Sequence, residues 1–399
     1  MNKHMIAESF AEQSHPDALQ EFDRESLENL VAKHETPFMV LDLSEVEYQY
    51  KSLQAALPGV KLFYALKALS HPELIKRLKS LGSSFDLATI GEVELVESLG
   101  IKGDQCIHSH PIKKDKEIKR ALEFGCNRFV VDNIEELRKF IPYAGQVELI
   151  MRVSFRNQQA VVDLSRKFGC ALEELPVMVD LAQKNGIEVV GLSFHVGSQS
   201  LSPMTQVNAV RASVAAMKVM HHVRWKFLDI GGSFPVSYQE AVLPIIDFCA
   251  PVMEALGELP EGIEVYAEPG RFIAAPSMIE VISVVGKAKR GAKMWYYMDD
   301  GVYGGFSGQM FDHAVYPLAP LKPFDATGEF FSSVLAGPTC DSIDVISEDI
   351  ELPEMEVGDI LIGKQMGAYT IASATEFNYY PKPKVIVVED IFDPETEAL

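Results

Sequence analysis

Between about residues 60 and 270, short apolar runs alternate with longer amphipathic segments. The amphipathic segments carry apolar residues at i, i+3 and i+4 and end in glycine, which is typical of helices. The apolar runs predict eight strands: 61–67, 83–88, 105–110, 128–133, 148–154, 188–197, 225–232 and 264–270. Eight strand–helix units in series predict an α/β fold, a TIM (β/α)8 barrel. The alternative, a doubly wound open sheet, would favour a G-x-G-x-x-G motif after its first strand, which the sequence lacks.

The pattern changes on both sides of this region. After residue 275 strand-like segments follow one another with few helical patterns, which predicts a mostly β C-terminal domain over 275–399. The apolar segment 36–43 predicts a strand that enters the barrel, so the barrel domain is expected to span 36–274. The polar, helix-patterned first 35 residues are expected to pack on the β domain.

Charge and cysteine content narrow the function classes. The 399 residues include 36 Lys and Arg against 57 Asp and Glu, a formal charge of −21, which disfavours nucleic acid and anionic membranes and favours a cationic small molecule. The sequence shows neither a membrane-length apolar run nor a signal-peptide pattern, so a cytoplasmic protein is expected. Five cysteines without a C-x-x-C pair indicate neither a disulfide framework nor a zinc site, and no metal is predicted.

Polar residues close most of the predicted barrel strands, where the active site of such a barrel lies. Each has an ordinary structural explanation: Lys67 can snorkel, and His195 can be a hydrogen-bonded core residue. A desolvated lysine is also an imine-forming nucleophile, while the glycines after the seventh and eighth strands, with Arg271, suit a phosphate. Together these features suggest pyridoxal phosphate. The residues in question are Lys67, Asp86, His108, His110, Arg152, His195, Asp229, Gly231, Gly232, Glu268, Gly270 and Arg271.

Eight motifs in order along the chain carry a family resemblance. They are FYALKA, FDLATIGE, SFHVGS, LDIGGSFP, AEPGRF, DDGVYGGF, GPTCDSID and MGAYT. Through them the sequence resembles the alanine-racemase-like, fold type III pyridoxal-phosphate decarboxylases, specifically ornithine decarboxylases and bacterial lysine/ornithine decarboxylases. The resemblance covers nearly the whole chain.

The resemblance implies a role for each matching residue. Lys67 is similar to the lysine that holds pyridoxal 5'-phosphate as a Schiff base, Glu268 to the partner of the pyridine nitrogen, and His195 to the residue stacked on the ring. Cys340 is similar to the cysteine that reprotonates the α-carbon of the substrate. The phosphate ligands implied are Ser198, Gly232, Gly270, Arg271 and Tyr369, the ring supports are Asp86 and Arg152, and the substrate-binding residues are Asp312, Asp341, Tyr303 and Phe377.

The implied reaction is decarboxylation of L-ornithine, L-lysine or both to putrescine or cadaverine, a step of polyamine biosynthesis. The two substrates differ by one methylene, worth only about 1–3 kcal/mol of discrimination, so the sequence does not rank them. In the family, the segment with Cys340 and Asp341 reaches the partner's active site. A homodimer with active sites shared across its interface is therefore expected.

Four other interpretations of the same fold are disfavoured but stay open. A diaminopimelate decarboxylase usually has Glu after the cysteine, where this chain has Asp341, and a carboxynorspermidine decarboxylase is similarly disfavoured. A non-catalytic paralogue is disfavoured by Lys67, Cys340 and Glu268, and an arginine-specific enzyme is expected to be a much longer chain.

The chain departs from the family pattern at three places. Ser233 replaces the third glycine of the seventh strand's turn, Phe311 replaces a tyrosine, and 108–114 lacks the usual asparagine, so His108 and His110 receive no role. None of these departures removes a residue that the chemistry requires.

Overall fold

The computed structural model describes residues 23–155, 167–322, 329–389 and 391. The chain divides into two compact units. We call Glu47–Pro235 with Leu243–Ile273 the barrel unit, and the described parts of Met1–Val46, Val236–Val242 and Ala274–Leu399 the β-rich unit. Within the described ranges, no helix combines the length and apolar character needed to cross a membrane.

The described residues form strands and helices in the order that the sequence pattern predicts for the barrel region. The strands are β1 (Phe38–Asp42), β2 (Val60–Ala65), β3 (Ser84–Leu87), β4 (Cys106–His108), β5 (Arg128–Val131), β6 (Glu148–Val153), β7 (Glu188–Phe194), β8 (Phe227–Asp229), β9 (Glu264–Ala267), β10 (Met278–Arg290), β11 (Lys293–Met298), β12 (Leu318–Pro320), β13 (Phe330–Ala336), β14 (Val345–Pro353), β15 (Ile360–Gly363) and β16 (Lys384–Val388). The α-helices are α1 (Arg24–Lys33), α2 (Leu43–Ala56), α3 (Pro72–Ser80), α4 (Ile90–Ser98), α5 (Asp115–Phe124), α6 (Ile134–Arg138), α7 (Leu175–Lys184), α8 (Pro203–Val219), α9 (Ile245–Leu256), α10 (Arg271–Ala274) and α11 (Gly308–Asp312).

Strands β2 to β9 pair in parallel, each with the next and β9 with β2, and so close an eight-stranded barrel. The predicted TIM barrel is therefore confirmed. One apolar residue from each of seven strands fills its interior: Phe63, Ile107, Val130, Ile150, Val190, Phe227 and Tyr266. Such a layer closes the barrel centre, so the polar residues that follow the strands lie at its C-terminal end. A bulge between Val189 and Gly191 shifts the register of β7 against β6.

The β-rich unit contains an eight-stranded sheet in the order β12-β15-β10-β11-β13-β14, with β1 paired to β10 and β16. The expectation that segment 36–43 is a barrel strand is wrong, because β1 pairs antiparallel with β10 and parallel with β16. All five β1 residues are buried, so both faces are covered and the local pattern does not distinguish a barrel strand from a central sheet strand. Leu27 of α1 and Phe38 share the core of this unit.

Candidate active site

The Lys67 amine lies at the C-terminal end of the barrel, two residues beyond β2. Its Nζ donates a hydrogen bond to Asp86 Oδ2 at 2.9 Å. Asp86 is buried on the neighbouring strand β3, and its second oxygen, Oδ1, has no hydrogen-bond partner among the described residues. The Lys67 side chain is 43% exposed, so a charged amine is held in place by a buried carboxylate yet stays accessible to a small molecule.

Two further carboxyl groups, Asp229 and Glu268, follow on from β8 and β9. Asp229 is fully buried; its Oδ1 accepts the Gly231 N–H at 2.8 Å, and its Oδ2 has no partner in the described part of the chain. Burial raises the pKa of Asp229 to about 6. Burial, followed by the nearby charges of Asp229 and Asp86, raises the pKa of Glu268 well above its usual range, and Lys67 partly offsets this. A cation bound beside these two carboxyl groups would favour their ionised forms.

His195 follows β7, and its ring is held from one side. Its Nδ1 accepts the Gly197 N–H at 3.1 Å and lies 3.2 Å from Ser233 Oγ. Burial, with the positive charges of Arg152 and Lys67, lowers the pKa of His195 well below its usual value. The ring is therefore a neutral planar surface at neutral pH, as a residue stacked on an aromatic cofactor needs to be.

The glycine turn after β8 is packed against the neighbouring strands. A Cβ atom on Gly231, whose φ is +66°, would lie 2.3 Å from the Phe194 carbonyl oxygen, and one on Gly232 would lie 2.7 Å from that of Glu268. Only glycine fits such approaches. From α8, Gln206 Nε2 donates to the Gly232 carbonyl oxygen at 3.4 Å. Sequence reasoning missed Gln206, which has no local signal in its helix.

A guanidinium lies beside a hydroxyl at the same end of the barrel. Arg271, the first residue of α10, is buried, and its Nη2 donates to Ser198 Oγ at 3.0 Å. Gly270 precedes it, and its carbonyl oxygen accepts the Ile273 N–H at 3.2 Å. A cation and a hydroxyl next to a glycine-rich turn suit an anionic phosphate.

Ser193 is a second residue that sequence reasoning missed. It pairs in register with Arg152 of β6 and Asp229 of β8, so the three side chains leave the barrel wall at one level. Its buried Oγ has no partner among the described residues. Burial lowers the pKa of Arg152, and the charge of Glu268 raises it.

The barrel end therefore fits pyridoxal phosphate on its own geometry. It offers an accessible amine on Lys67, carboxyl groups for a protonated ring nitrogen, and Arg271 with Ser198 for a phosphate. The unpartnered buried oxygens of Asp86 and Asp229 are what such a polar ligand would satisfy.

The β-rich unit brings a second group of candidate residues together, which we call the loop cluster: residues 300–306, 337–344 and 377–380. Tyr303 donates its hydroxyl to Asp341 Oδ2 at 2.6 Å and stacks on Phe377 with ring centroids 4.5 Å apart. That hydrogen bond raises the pKa of Tyr303 to about 12 and lowers the pKa of Asp341. Asp341 is therefore an anion, able to receive a cationic group.

Cys340 is exposed in the same cluster, unlike the four other cysteines, which are all buried. Its backbone N–H and its thiol both approach Asn378 Oδ1 at 3.1 Å. An amide oxygen is only an acceptor, so the thiol is the donor in this contact. Sequence reasoning missed Asn378, whose partner is 38 residues away.

Asp344 ties the two long loops of the cluster together. Its Oδ1 accepts the Val302 N–H and its Oδ2 accepts the Thr339 N–H, both at 2.9 Å. A Cβ atom on Gly301 or Gly337 would lie 2.1 Å from Oδ1, so both glycines are needed for this approach. The buried carboxylate thus sets the positions of the loops that carry Tyr303 and Cys340. It was not singled out from the sequence, although it stands inside the GPTCDSID motif.

The remaining candidates are placed as follows. Asp312 is the last residue of α11, and Tyr369 follows β15 with a φ of +57°. His108 is buried with its ring centroid 5.7 Å from that of Phe129, and burial lowers its pKa to about 3, so it is a neutral packing residue. His110 lies 5.6 Å from Phe168, edge to face.

The chain was compared with known proteins. A family model described as "Pyridoxal-dependent decarboxylase, pyridoxal binding domain" matches residues 43–275. The chain is 36% identical over 378 residues to a lysine/ornithine decarboxylase of Selenomonas ruminantium, covering 93% of this chain and 94% of that protein. A solved structure of a lysine/ornithine decarboxylase from Vibrio vulnificus, complexed with cadaverine, is 48% identical with a TM-score of 0.87, covering 92% of this chain and 98% of that chain.

An arginine decarboxylase from Paramecium bursaria Chlorella virus, bound to agmatine, has a TM-score of 0.87 at 29% identity, covering 92% of this chain and 100% of that one. Chain length therefore does not exclude an arginine-specific enzyme, contrary to the expectation from the sequence. The predicted decarboxylase family and cofactor are confirmed. The chain belongs to the pyridoxal-dependent decarboxylases and is an enzyme that uses pyridoxal phosphate.

Proposed function

We propose that the protein decarboxylates L-ornithine, L-lysine or both, and so forms putrescine or cadaverine for polyamine biosynthesis. The observation that carries this proposal is the ion pair of Lys67 with buried Asp86, set beside the carboxyl groups of Asp229 and Glu268. The Vibrio vulnificus relative has been solved with cadaverine and with putrescine, which supports a diamine product.

In this proposal the barrel residues bind and orient the cofactor. When bound, pyridoxal phosphate supplies an electron sink for the pair released as the bond between the α-carbon and the carboxylate breaks. Lys67 would hold the cofactor through its accessible amine, and Glu268 would stabilise a positive charge on the ring nitrogen. His195 would limit the ring to one plane, with Asp86 and Arg152 as its polar support.

The phosphate of the cofactor would be held by Arg271 and Ser198, which already share a hydrogen bond at 3.0 Å. Gly232 and Gly270 lack a Cβ atom and would let the backbone approach the phosphate closely. Tyr369 is the remaining residue of the proposed ligand set.

The loop cluster would bind the distal ammonium of the substrate and supply the proton for its α-carbon. Asp341 and Asp312 would pair with the distal ammonium, since a charge removed from water needs an opposite charge. Tyr303 keeps the Asp341 carboxylate oriented, and its stack on Phe377 limits the length of the side chain that fits. Cys340 would donate the proton on Sγ to the α-carbon after carbon dioxide has left.

We further propose a homodimer in which the loop cluster of one subunit serves the barrel end of the other. The loop cluster that carries the exposed Cys340 also carries exposed large apolar side chains: Ile343 is 50% exposed and Tyr379 is 98% exposed. Apolar groups gathered around functional residues are typical of a surface covered by a partner. A second copy of the chain is the partner that this proposal requires.

The test is mass spectrometry of the products formed from an equimolar mixture of ornithine, lysine, arginine and meso-diaminopimelate. The cofactor-loaded protein is expected to release putrescine, cadaverine or both, and a Lys67→Arg variant serves as the blank. Lysine as the product would assign the protein to diaminopimelate decarboxylation, and agmatine to arginine decarboxylation. No product from any substrate would refute the proposal in favour of a non-catalytic paralogue.

A further inference from the structure

Ser233 occupies an unfavourable backbone position beside the cofactor-binding residues. It follows the glycine turn after β8 and has a φ of +80°, in the left-handed region that glycine adopts freely and a serine does not. A glycine at this place would relieve the strain. The side chain of Ser233 is buried, so its hydroxyl acts on a neighbour and not on solvent.

That neighbour is His195. Ser233 Oγ lies 3.2 Å from His195 Nδ1, and the same nitrogen accepts the Gly197 N–H at 3.1 Å. A ring nitrogen that accepts a backbone N–H carries no proton of its own. The serine must therefore be the donor, and the single proton of the neutral imidazole is on Nε2.

The other nitrogen of the ring faces the same turn. A Cβ atom on Gly232 would lie 3.4 Å from His195 Nε2, so the turn also passes close to the second ring nitrogen. From α8, Gln206 donates a hydrogen bond to the Gly232 carbonyl oxygen and so holds the glycine turn in place. The orientation of the ring plane is thus set by the residues after β8 and by Gly197.

We infer that Ser233 is a positioning residue whose hydroxyl adds a second hydrogen bond to His195 Nδ1, reinforces the Nε2–H tautomer that the Gly197 N–H sets, and holds the plane of the ring ready to stack on the cofactor. The tautomer is a property of the protein alone, whereas the stacking rests on the proposed function. A neutral hydrogen bond of this kind corresponds to a change of roughly three- to tenfold in cofactor affinity.

Two variants separate the hydroxyl from the backbone strain. Ser233→Ala removes the hydroxyl and keeps the Cβ at positive φ, whereas Ser233→Gly removes both. Ser213→Ala is the matched control, because Ser213 is a fully buried serine of the barrel unit, on α8, whose Oγ has no partner among the described residues. The first readout is the ¹⁵N NMR spectrum of ring-labelled histidine in the cofactor-free protein, with the His195 signals identified by their loss in His195→Gln.

We expect both Ser233 variants to shift the His195 Nδ1 signal, because that nitrogen loses one of its two hydrogen bonds, and the Ser213 control to leave it unchanged. The dissociation constant for pyridoxal phosphate should rise about three- to tenfold in both Ser233 variants. Ser233→Gly should melt at a higher temperature than Ser233→Ala, because only the alanine retains the strain.

Unchanged His195 signals in both variants would overturn the inference. Changed signals with a wild-type dissociation constant would also overturn it, since the ring would then not be held for the cofactor. A wild-type protein that fails to bind pyridoxal phosphate would instead contradict the function proposed above, while the tautomer of His195 would still be measurable.

Discussion

The barrel end and the loop cluster control their charged groups in different ways. At the barrel end burial dominates: it raises the pKa of Glu268 and lowers that of His195. In the loop cluster burial raises the pKa of Asp300, but the shifts of Tyr303 and Asp341 come first from the hydrogen bond between them, and Cys340 is exposed. The charges of the barrel end are therefore set by burial, whereas the loop cluster leaves its thiol exposed.

This difference indicates a division of work. A buried set of carboxylates, an imidazole and a guanidinium suits a cofactor that stays bound through many turnovers. An exposed thiol and carboxylate on positioned loops suit a substrate that arrives and leaves each time. Variants that change one region at a time test whether the two regions lose function in different ways.

The largest effect is expected for Lys67→Arg in the barrel end. The arginine keeps a positive charge near Asp86 but lacks the nucleophilic amine, so turnover of ornithine and lysine should fall by roughly 10³-fold or more. Retention of the cofactor through gel filtration should also be lost. Lys76→Arg is the control, because Lys76 is an exposed lysine paired with Glu73, and it should behave like wild type. Substantial turnover by the Lys67 variant would contradict the role given to its amine.

Cys340→Ala should separate the two regions most clearly. We expect wild-type affinity for pyridoxal phosphate, with diamine formation reduced by about 10²- to 10⁴-fold or diverted to other products, because the proton donor on Sγ is gone. Steady-state kinetics with product analysis measures this. Cys249→Ala, which changes a buried cysteine of α9, is the control. Unchanged diamine turnover in the Cys340 variant would remove this thiol from the reaction.

The pH dependence of stability should include a contribution from the barrel end. Burial raises the pKa of Asp229 from 3.8 to about 6, so the folded state binds this proton more tightly than the unfolded chain. The stabilisation that protonated Asp229 contributes is fully present below about pH 4 and is lost as the pH rises through about 6. This loss amounts to roughly 2–3 kcal/mol in the free energy of unfolding. Thermal melts of the cofactor-free protein should show this fall, and Asp229→Asn should reduce it. An equally steep fall in the variant would contradict the assignment.

Asp344→Asn should loosen the loop cluster and leave the barrel end intact. One of the two backbone N–H donors would face the new amide NH₂ in place of a carboxylate oxygen, at a cost of about 1–2 kcal/mol in the free energy of unfolding. The free energy of unfolding, measured with denaturant, and the turnover number should both fall. The dissociation constant for pyridoxal phosphate should not change. Asp349→Asn, an exposed position on β14, is expected to cost less. A wild-type turnover number for the Asp344 variant would show that the loops do not depend on this contact.

The sequence predicts the barrel end better than the loop cluster for a physical reason. In a parallel barrel all strands point one way, so polar residues that close successive apolar runs, such as Lys67, Asp86 and His195, must meet at one end. The partner of Cys340, by contrast, is Asn378, which only a long-range contact brings near. The role of Asp344 depends on the backbone of Val302, and its own residue type does not reveal this.

The misplaced strand has a similar explanation. Phe38–Asp42 is apolar and buried on both faces, and its partner in β10 is about 240 residues further along the chain. Strand β14 has little apolar signal in the sequence, because its central residues, 347–349, are polar and partly or fully exposed. A local apolar pattern can therefore indicate a strand, but it does not identify the strands with which that strand pairs.

The central claim is that the two regions act together across a dimer, and one measurement tests it directly. Lys67→Arg and Cys340→Ala subunits are co-expressed with different tags, and the mixed dimer is purified through both tags. If the loop cluster of one subunit serves the barrel end of the other, the mixed dimer has one intact active site and about half of the wild-type turnover. If each chain uses its own loop cluster, every site lacks one residue, and the mixed dimer will be as inactive as the two single variants.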